Sequence, residues 1–141
     1  MRGLIDSGSE FGQRVERRLR NELIGWLVTV RRDGTPQPSP VWFLWDGESF
    51  LVYSRPATPK LRAIERNPRV ALHLDGDGRG GDVVVVRGSA RVSDADPPAD
   101  EVPAYVEKYA ERIATIGWTP ASFAADYSVA LRIEPDAVRG H

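Results

Sequence analysis

Residues 24–54 read IGWLVTVRRDGTPQPSPVWFLWDGESFLVYS, and this stretch decides the fold. Three apolar, β-favouring runs are separated by Asp33-Gly34 and Asp46-Gly47, both of which are typical hairpin turns. Tight turns join antiparallel strands, because parallel neighbours need crossover connections of about a dozen residues or more. The stretch therefore predicts an antiparallel meander, with strands over Ile24–Val30, Val41–Trp45 and Ser49–Ser54.

The rest of the chain adds further strands to this meander. Arg69–Leu74, Asp82–Val92 and Ser128–Ile133 have strand-like patterns. The run Val83–Val86 is apolar on both faces of the pleat, which predicts a central strand covered on both sides. About six or seven short antiparallel strands with helices at their margins favour a small closed or half-closed β-barrel, since closure leaves no strand unpaired.

Helices are predicted at four places. Ser7 and Glu10 have the spacing of a capping box, before an amphipathic helix that starts at Phe11. The others are a short helix over 60–66, an amphipathic helix from Tyr105 to near Gly117, and one or two turns over 120–126.

Composition excludes several classes of function. The 141 residues fit a single domain, 1–141. The net charge is −1, so the overall balance indicates neither a nucleic-acid-binding protein nor a polybasic membrane surface. The absence of cysteine excludes disulfides, thiolate nucleophiles and zinc-thiolate sites. With no signal-peptide pattern and no long apolar run, we expect a cytoplasmic protein with a small-molecule partner.

The candidate site lies in residues 52–62, VYSRPATPKLR. If Thr58 is the N-cap and Pro59 the first helical residue, then Lys60 stands in the first turn and Arg55 just before it. Helix starts favour acids, yet the predicted helix and the turn before it contain no acid until Glu65. Free backbone N–H groups, hydroxyls and cations at one helix start can hold a phosphate. The alternative is a solvated basic turn.

A second candidate segment is Val41-Trp42-Phe43, which follows a proline-rich stretch and is apolar on both faces. One of those faces needs cover from outside its own sheet. A partner subunit or a flat aromatic ligand would supply it, and the alternative is that the tryptophans belong to the core.

The sequence lacks the residues that several other kinds of functional site require. The two histidines, His73 and His141, provide neither a catalytic triad nor a metal cluster. The stretch Asp75–Gly78 starts like a calcium-binding loop, but the twelfth position is Val86 instead of glutamate. The glycines of 78–81 lack the strand-to-helix context of a phosphate-binding loop.

An ordered set of short motifs resembles the pyridoxamine 5′-phosphate oxidase-like superfamily, and within it the actinobacterial branch of coenzyme F-420 (deazaflavin)-dependent oxidoreductases. The motifs span Ile24 to the C-terminus. They are Pro40-Val41-Trp42-Phe43, Val52-Tyr53-Ser54-Arg55, Thr58-Pro59-Lys60, Asn67-Pro68-Arg69-Val70-Ala71-Leu72, Val86-Arg87-Gly88-Ser89-Ala90 and Arg132-Ile133-Glu134-Pro135.

This resemblance implies a homodimeric split β-barrel with cofactor sites at the subunit interface. It places residues 41–43 along the cofactor ring, and Tyr53, Ser54, Arg55, Thr58 and Lys60 around the ribityl phosphate. Relatives that use FMN often have an arginine beside the lysine, where this chain has Pro59.

The implied activity is hydride transfer from the C5 carbon of reduced coenzyme F-420 to an unsaturated or quinone-like acceptor, with no catalytic side chain required. Three alternatives stay open. They are an FMN-dependent oxidase or reductase of the same superfamily, a non-catalytic flavin or deazaflavin carrier, and a dimeric structural module.

Overall fold

The computed structural model describes residues 4–141. Six strands form one closed antiparallel barrel in the order β1-β2-β3-β6-β5-β4. The strands are β1 (Ile24–Val30), β2 (Pro36–Trp45), β3 (Phe50–Ser54), β4 (Arg69–His73), β5 (Val84–Val92) and β6 (Val129–Gly140). The helices are α1 (Glu10–Asn21), α2 (Pro59–Arg66), α3 (Pro103–Thr115) and α4 (Pro120–Asp126), with a 3-10 turn at Ala99–Glu101. The predicted mainly-β barrel with flanking helices is confirmed.

The predicted meander is also confirmed. β1 pairs with β2, where Trp26 lies opposite Pro40, and β2 pairs with β3, where Phe43 lies opposite Val52. β3 then pairs with β6, while β4 returns to the other side of β1. The helix α2, which lies between β3 and β4 in the chain, packs against β1 and β5.

β2 starts earlier than the sequence predicted, at Pro36 instead of Val41. Its alternate residues Pro36, Pro38 and Pro40 face β1 in the register. Because proline has no N–H, the backbone N–H groups that β2 donates to β1 can come only from the residues between the prolines. In the described chain this first half pairs only with β1, and β3 joins at Phe43.

β6 also exceeds its predicted end at Ile133 and continues to Gly140. A register shift between Arg87 and Gly88 lets the strand accommodate Pro135. A Cβ on Gly88 would lie 2.2 Å from the Glu134 carbonyl oxygen, so this crossing requires glycine.

Two further expectations need correction. The N-cap of α1 is Ser9, whose hydroxyl accepts from the Gly12 N–H at 2.9 Å, so the predicted capping box on Ser7 is wrong. β5 lies between two strands as expected, but only its inner face is covered, since Val85 on the outer face is half-buried.

The apolar side chains form two clusters. One fills the barrel and includes Phe43 and Phe50. The other lies between α3, α4 and the outer face of the sheet, and it includes Tyr53, Tyr105 and Phe123. Trp42 packs against this second cluster, so β2 contributes to both.

α3 closes a seam where β1 and β2 separate. The ladder between these strands ends at Ile24 and Trp42. Beyond it, the Tyr109 hydroxyl accepts from the Phe43 N–H at 2.7 Å and reaches the Leu23 carbonyl at 2.7 Å. Lys108 donates to the Phe43 carbonyl at 2.7 Å. Helix side chains therefore replace the missing strand-to-strand hydrogen bonds directly beside Trp42.

Candidate functional site

A cavity of about 250 Å³ opens between β2, β3, the start of α2 and the region around α4. The sheet, the helix start and α4 each contribute part of the wall. Its lining residues are Pro40, Val41, Trp42, Tyr53, Lys60, Ile116, Trp118, Phe123 and Tyr127.

The start of α2 has the predicted cap. Thr58 is the N-cap and accepts from the Leu61 N–H at 3.4 Å, and Pro59 is the first helical residue. The Ser54 hydroxyl lies 3.2 Å from Thr58 Oγ1 and donates to the Arg55 carbonyl at 2.8 Å. Both hydroxyls therefore hold the turn in place. No acidic residue lies in the first turn, so the partial positive charge of the helix start is not neutralised there.

Lys60 brings a positive charge to the cavity wall. Its side chain is half-buried, and within residues 4–141 it has no hydrogen-bond or ion-pair partner. Burial lowers its pKa from the ordinary value of 10.5. A desolvated cation without a partner is poised to bind an anion, because an anionic ligand would supply the missing interaction.

Arg55 stands at the outer rim. Its Nε donates to Asp126 Oδ2 at 2.6 Å, and its guanidinium carbon lies 5.1 Å from the centre of the Tyr127 ring. The hydrogen bond to Asp126 raises the pKa of Arg55. The guanidinium NH₂ groups of this fork make no hydrogen bond in the described chain, so the residue can contact a further anion.

Aromatic rings form the opposite wall. Trp42 stacks on Tyr109 at 4.8 Å and 4°, and on Phe123 at 5.2 Å and 13°. Phe123 in turn stacks on Tyr127 at 4.6 Å and 7°. Tyr53 donates its hydroxyl to the Pro97 carbonyl at 2.6 Å, and burial raises its pKa to about 12. These walls suit a flat aromatic ligand, and the Tyr53 hydroxyl is held as a donor to the backbone.

The predicted site residues therefore fall into two groups. Val41, Trp42, Tyr53 and Lys60 line the cavity itself. Arg55, Thr58 and Pro59 lie beside it at the start of α2, and Ser54 is buried beneath that turn. Phe43 is fully buried in the barrel core, on the face of β2 opposite Trp42, so its side chain does not reach the cavity.

Sequence reasoning missed the contribution of α4. Phe123 and Tyr127 are four residues apart, which places both on one face of a short helix. That spacing was the available signal, but a segment of seven residues gives little periodicity from which to infer a buried face.

Comparison with known proteins agrees with the fold. Residues 11–141 match the family model of pyridoxamine 5′-phosphate oxidase. The chain belongs to this family of split-barrel proteins.

Among solved structures, an F-420 reductase is 31% identical, with 88% of this chain and 94% of that chain covered and a TM-score of 0.68. A conserved hypothetical protein from Mycobacterium tuberculosis is 22% identical, with 99% and 87% covered and a TM-score of 0.69. The haem storage protein HutZ from Vibrio cholerae is 16% identical, with 94% and 95% covered and a TM-score of 0.65. The last two likenesses concern the fold.

The described residues show neither a metal-binding cluster nor a membrane-spanning helix. Residues 4–141 contain no group of three or more histidine, cysteine, aspartate or glutamate side chains arranged to hold a metal ion. Over the same residues, every helix is too short or too polar to cross a membrane.

Proposed function

We propose that the chain binds the deazaflavin coenzyme F-420 and transfers hydride between it and a small unsaturated or quinone-like organic acceptor. The observation that carries this proposal is the Lys60 ammonium group, which has no partner within residues 4–141 and faces an aromatic-walled cavity at a helix start without acids. The 31% identity to an F-420 reductase supports the same choice.

The residues present fit such a cofactor. Lys60, Arg55 and the free N–H groups of the first turn of α2 would hold its phosphate. Trp42 and Tyr53 would line its ring system. The bound cofactor supplies the hydride from its C5 carbon. The contribution of this chain would be to orient the cofactor and the acceptor. The proton that completes the reduction of the acceptor would come from solvent, so no side chain has to react.

A basic groove favours F-420 over FMN. On the other side of the first turn of α2, a groove of about 480 Å³ lies against Pro59. It contains Arg31, Arg32, Arg62 and Arg66, with Asp33 as the one acid in its lining. Coenzyme F-420 continues past its phosphate as an acidic chain, whereas FMN ends at the phosphate. An acidic chain attached to a phosphate at Lys60 would lie beside these arginines.

A second copy of the chain would complete the site. The outer face of β1 and β2 is apolar in one chain, with Trp26 and Val28 half-buried and Pro38 and Pro40 exposed. Pro40 also lines the cavity, so this face and the site are continuous. At about 250 Å³ the cavity is smaller than the roughly 300–1,000 Å³ of a typical small-molecule site. We propose a homodimer that pairs through this face.

A haem-binding role is the alternative that the structural likeness to HutZ raises. The described cavity lining offers no histidine, cysteine or methionine to ligate iron. Of the two tyrosines in this lining, Tyr53 donates its hydroxyl to the Pro97 carbonyl, and the Tyr127 ring packs against Phe123 and Arg55. The site therefore suits a phosphate-bearing flavin-type cofactor better than haem.

Titration of the purified protein with coenzyme F-420, FMN and haem, followed by tryptophan fluorescence, tests the proposal. We expect the tightest binding for F-420, and oxidation of its reduced form in the presence of quinones or enones. If FMN bound more tightly than F-420, FMN would be the cofactor and the proposed site would stand. Binding of F-420 without turnover over a broad acceptor panel would indicate a carrier, and preference for haem would overturn the proposal.

A further inference from the structure

The turn between β3 and α2 contains a strained residue. Pro56 and Ala57 form this turn, which leads into the N-cap of α2. Ala57 has φ of 59°, in the left-handed region where a Cβ is unfavourable and glycine or asparagine is the usual residue. A strained residue of this kind persists only where surrounding contacts hold it in place. The turn therefore needs support from outside its own backbone.

Two side chains supply that support. Arg62, on α2, donates from its guanidinium group to the Ala57 carbonyl at 2.7 Å. The Ser54 hydroxyl donates to the Arg55 carbonyl at 2.8 Å. In a closed turn of this kind the Arg55 carbonyl would instead accept from the Thr58 N–H. Side chains therefore brace the turn, and within residues 4–141 its own closing hydrogen bond is not made.

This bracing leaves backbone donors free for a ligand. In the described chain the N–H groups of Ala57, Thr58 and Lys60 have no hydrogen-bond partner. The carbonyl and the N–H of one trans peptide point in opposite directions. While Arg62 holds the Ala57 carbonyl, the Thr58 N–H therefore points away from Arg62. Successive backbone donors beside a cation form a typical cradle for a phosphate.

We propose that Arg62 is a positioning residue for the cofactor phosphate. By holding Ala57 in its left-handed conformation, Arg62 keeps the Thr58 N–H free, and the phosphate accepts from that N–H. This inference rests on the function proposed above, which gave Arg62 a place only in the groove for an acidic chain. The added role applies to every ligand that carries a phosphate, with or without such a chain.

The strain at Ala57 allows a test by rescue. Glycine adopts the left-handed conformation without a Cβ penalty, so Ala57→Gly should supply by itself what Arg62 supplies through its hydrogen bond. If Arg62 acted only through its charge, glycine at this position would restore nothing. Arg66 provides the comparison, because it lines the same groove with the same charge and makes no hydrogen bond to the turn within residues 4–141.

Isothermal titration calorimetry with FMN and inorganic pyrophosphate measures the effect, since neither ligand carries an acidic chain for the groove. We expect Arg62→Gln to weaken the binding of both by roughly two- to tenfold, the range that one hydrogen bond contributes to an equilibrium constant. The double variant Ala57→Gly with Arg62→Gln should recover most of this loss. Arg66→Gln should weaken binding less, and Ala57→Gly should bring no comparable recovery when combined with it.

A second measurement needs no ligand. The NMR chemical shifts of Ala57 and Thr58 report their backbone conformation, and they should change in Arg62→Gln and much less in Arg66→Gln. Unchanged shifts in Arg62→Gln would overturn the inference, as would a loss of binding that glycine fails to restore. If the wild type bound neither these ligands nor F-420, the proposed function would fall, and the shifts would still decide whether Arg62 holds the turn.

Discussion

Two tyrosines of α3 allow a controlled measurement of what one buried hydroxyl contributes. Tyr105 and Tyr109 are 1% and 0% exposed, but among the described residues only the Tyr109 hydroxyl finds hydrogen-bond partners. In Tyr109→Phe the Phe43 N–H and Leu23 carbonyl lose their partner, so we expect a loss of about 1–3 kcal/mol in the free energy of unfolding. Tyr105→Phe removes an unpaired hydroxyl and should leave stability unchanged or raised. Urea denaturation of both variants checks this, and equal losses would contradict it.

Lys60 should make cofactor binding depend on pH. A bound phosphate would raise the pKa that burial lowers in the free protein, so binding takes up a proton. Affinity should therefore be full at neutral pH and fall as the pH rises through the free-state pKa of Lys60. Lys60→Ala should weaken binding roughly 10- to 150-fold at pH 7, the equivalent of about 1.5–3 kcal/mol for a charge-assisted contact.

Titrations between pH 7 and about pH 10 with Lys60→Arg test the origin of this dependence, because arginine stays protonated throughout. In that variant, the affinity for the cofactor should depend less on pH. Arg79→Ala, in the exposed loop 78–81, serves as the control for general loss of positive charge. A slope that persists in Lys60→Arg would mean that another group titrates.

At the scale of the element, α3 carries a lysine that should tie stability to pH. Burial lowers the pKa of Lys108 to about 8, with Glu22 opposing the shift. Unfolding restores the ordinary value of 10.5, so between these two values the unfolded chain binds more protons than the folded one. The free energy of unfolding should rise from about pH 8 to about pH 9.5 in the wild type.

Lys108→Met should be at least as stable as the wild type at pH 7 and should lose part of this rise. Urea denaturation at pH 7, 8 and 9.5 measures both effects, with Lys60→Met as a second variant for the other buried lysine. A steep loss of stability in Lys108→Met at pH 7 would show instead that its bond to the Phe43 carbonyl and its contact with the Phe43 ring, 4.0 Å away, outweigh burial.

The elements that sequence predicted best are those set by local chemistry. Asp-Gly turns placed the first three strands, and Thr58-Pro59 placed the start of α2, because turn and cap residues act within a few positions. Sequence reasoning missed the first half of β2, because its prolines argue against a strand. A strand tolerates proline only at positions that need not donate a hydrogen bond to the neighbouring strand, and the sequence does not reveal which positions those are. The end of β6 depends on a bulge opposite Gly88, and the α4 wall depends on packing, neither of which a single segment reveals.

At the scale of the whole molecule, the outer face of β1 should decide the oligomeric state. Val28 lies opposite Pro38 on one side and Ala71 on the other, in the middle of the apolar face. Val28→Arg would bury an unpaired charge in the proposed interface, so we expect monomers and weaker cofactor binding. Light scattering and cofactor titration measure both. Val92→Arg, at a residue 51% exposed elsewhere, is the control, and a Val28→Arg dimer with normal binding would exclude this interface.

The prolines of β2 have a consequence for how this protein behaves in a crowded solution. Over 36–42 the described chain leaves one side of the strand without a neighbour, the usual template on which another molecule adds its own strand. Because every second residue is a proline, a strand from another molecule would find an incomplete row of amide donors and could not extend the sheet. The barrel can thus expose a large apolar face for specific pairing while resisting runaway fibre growth.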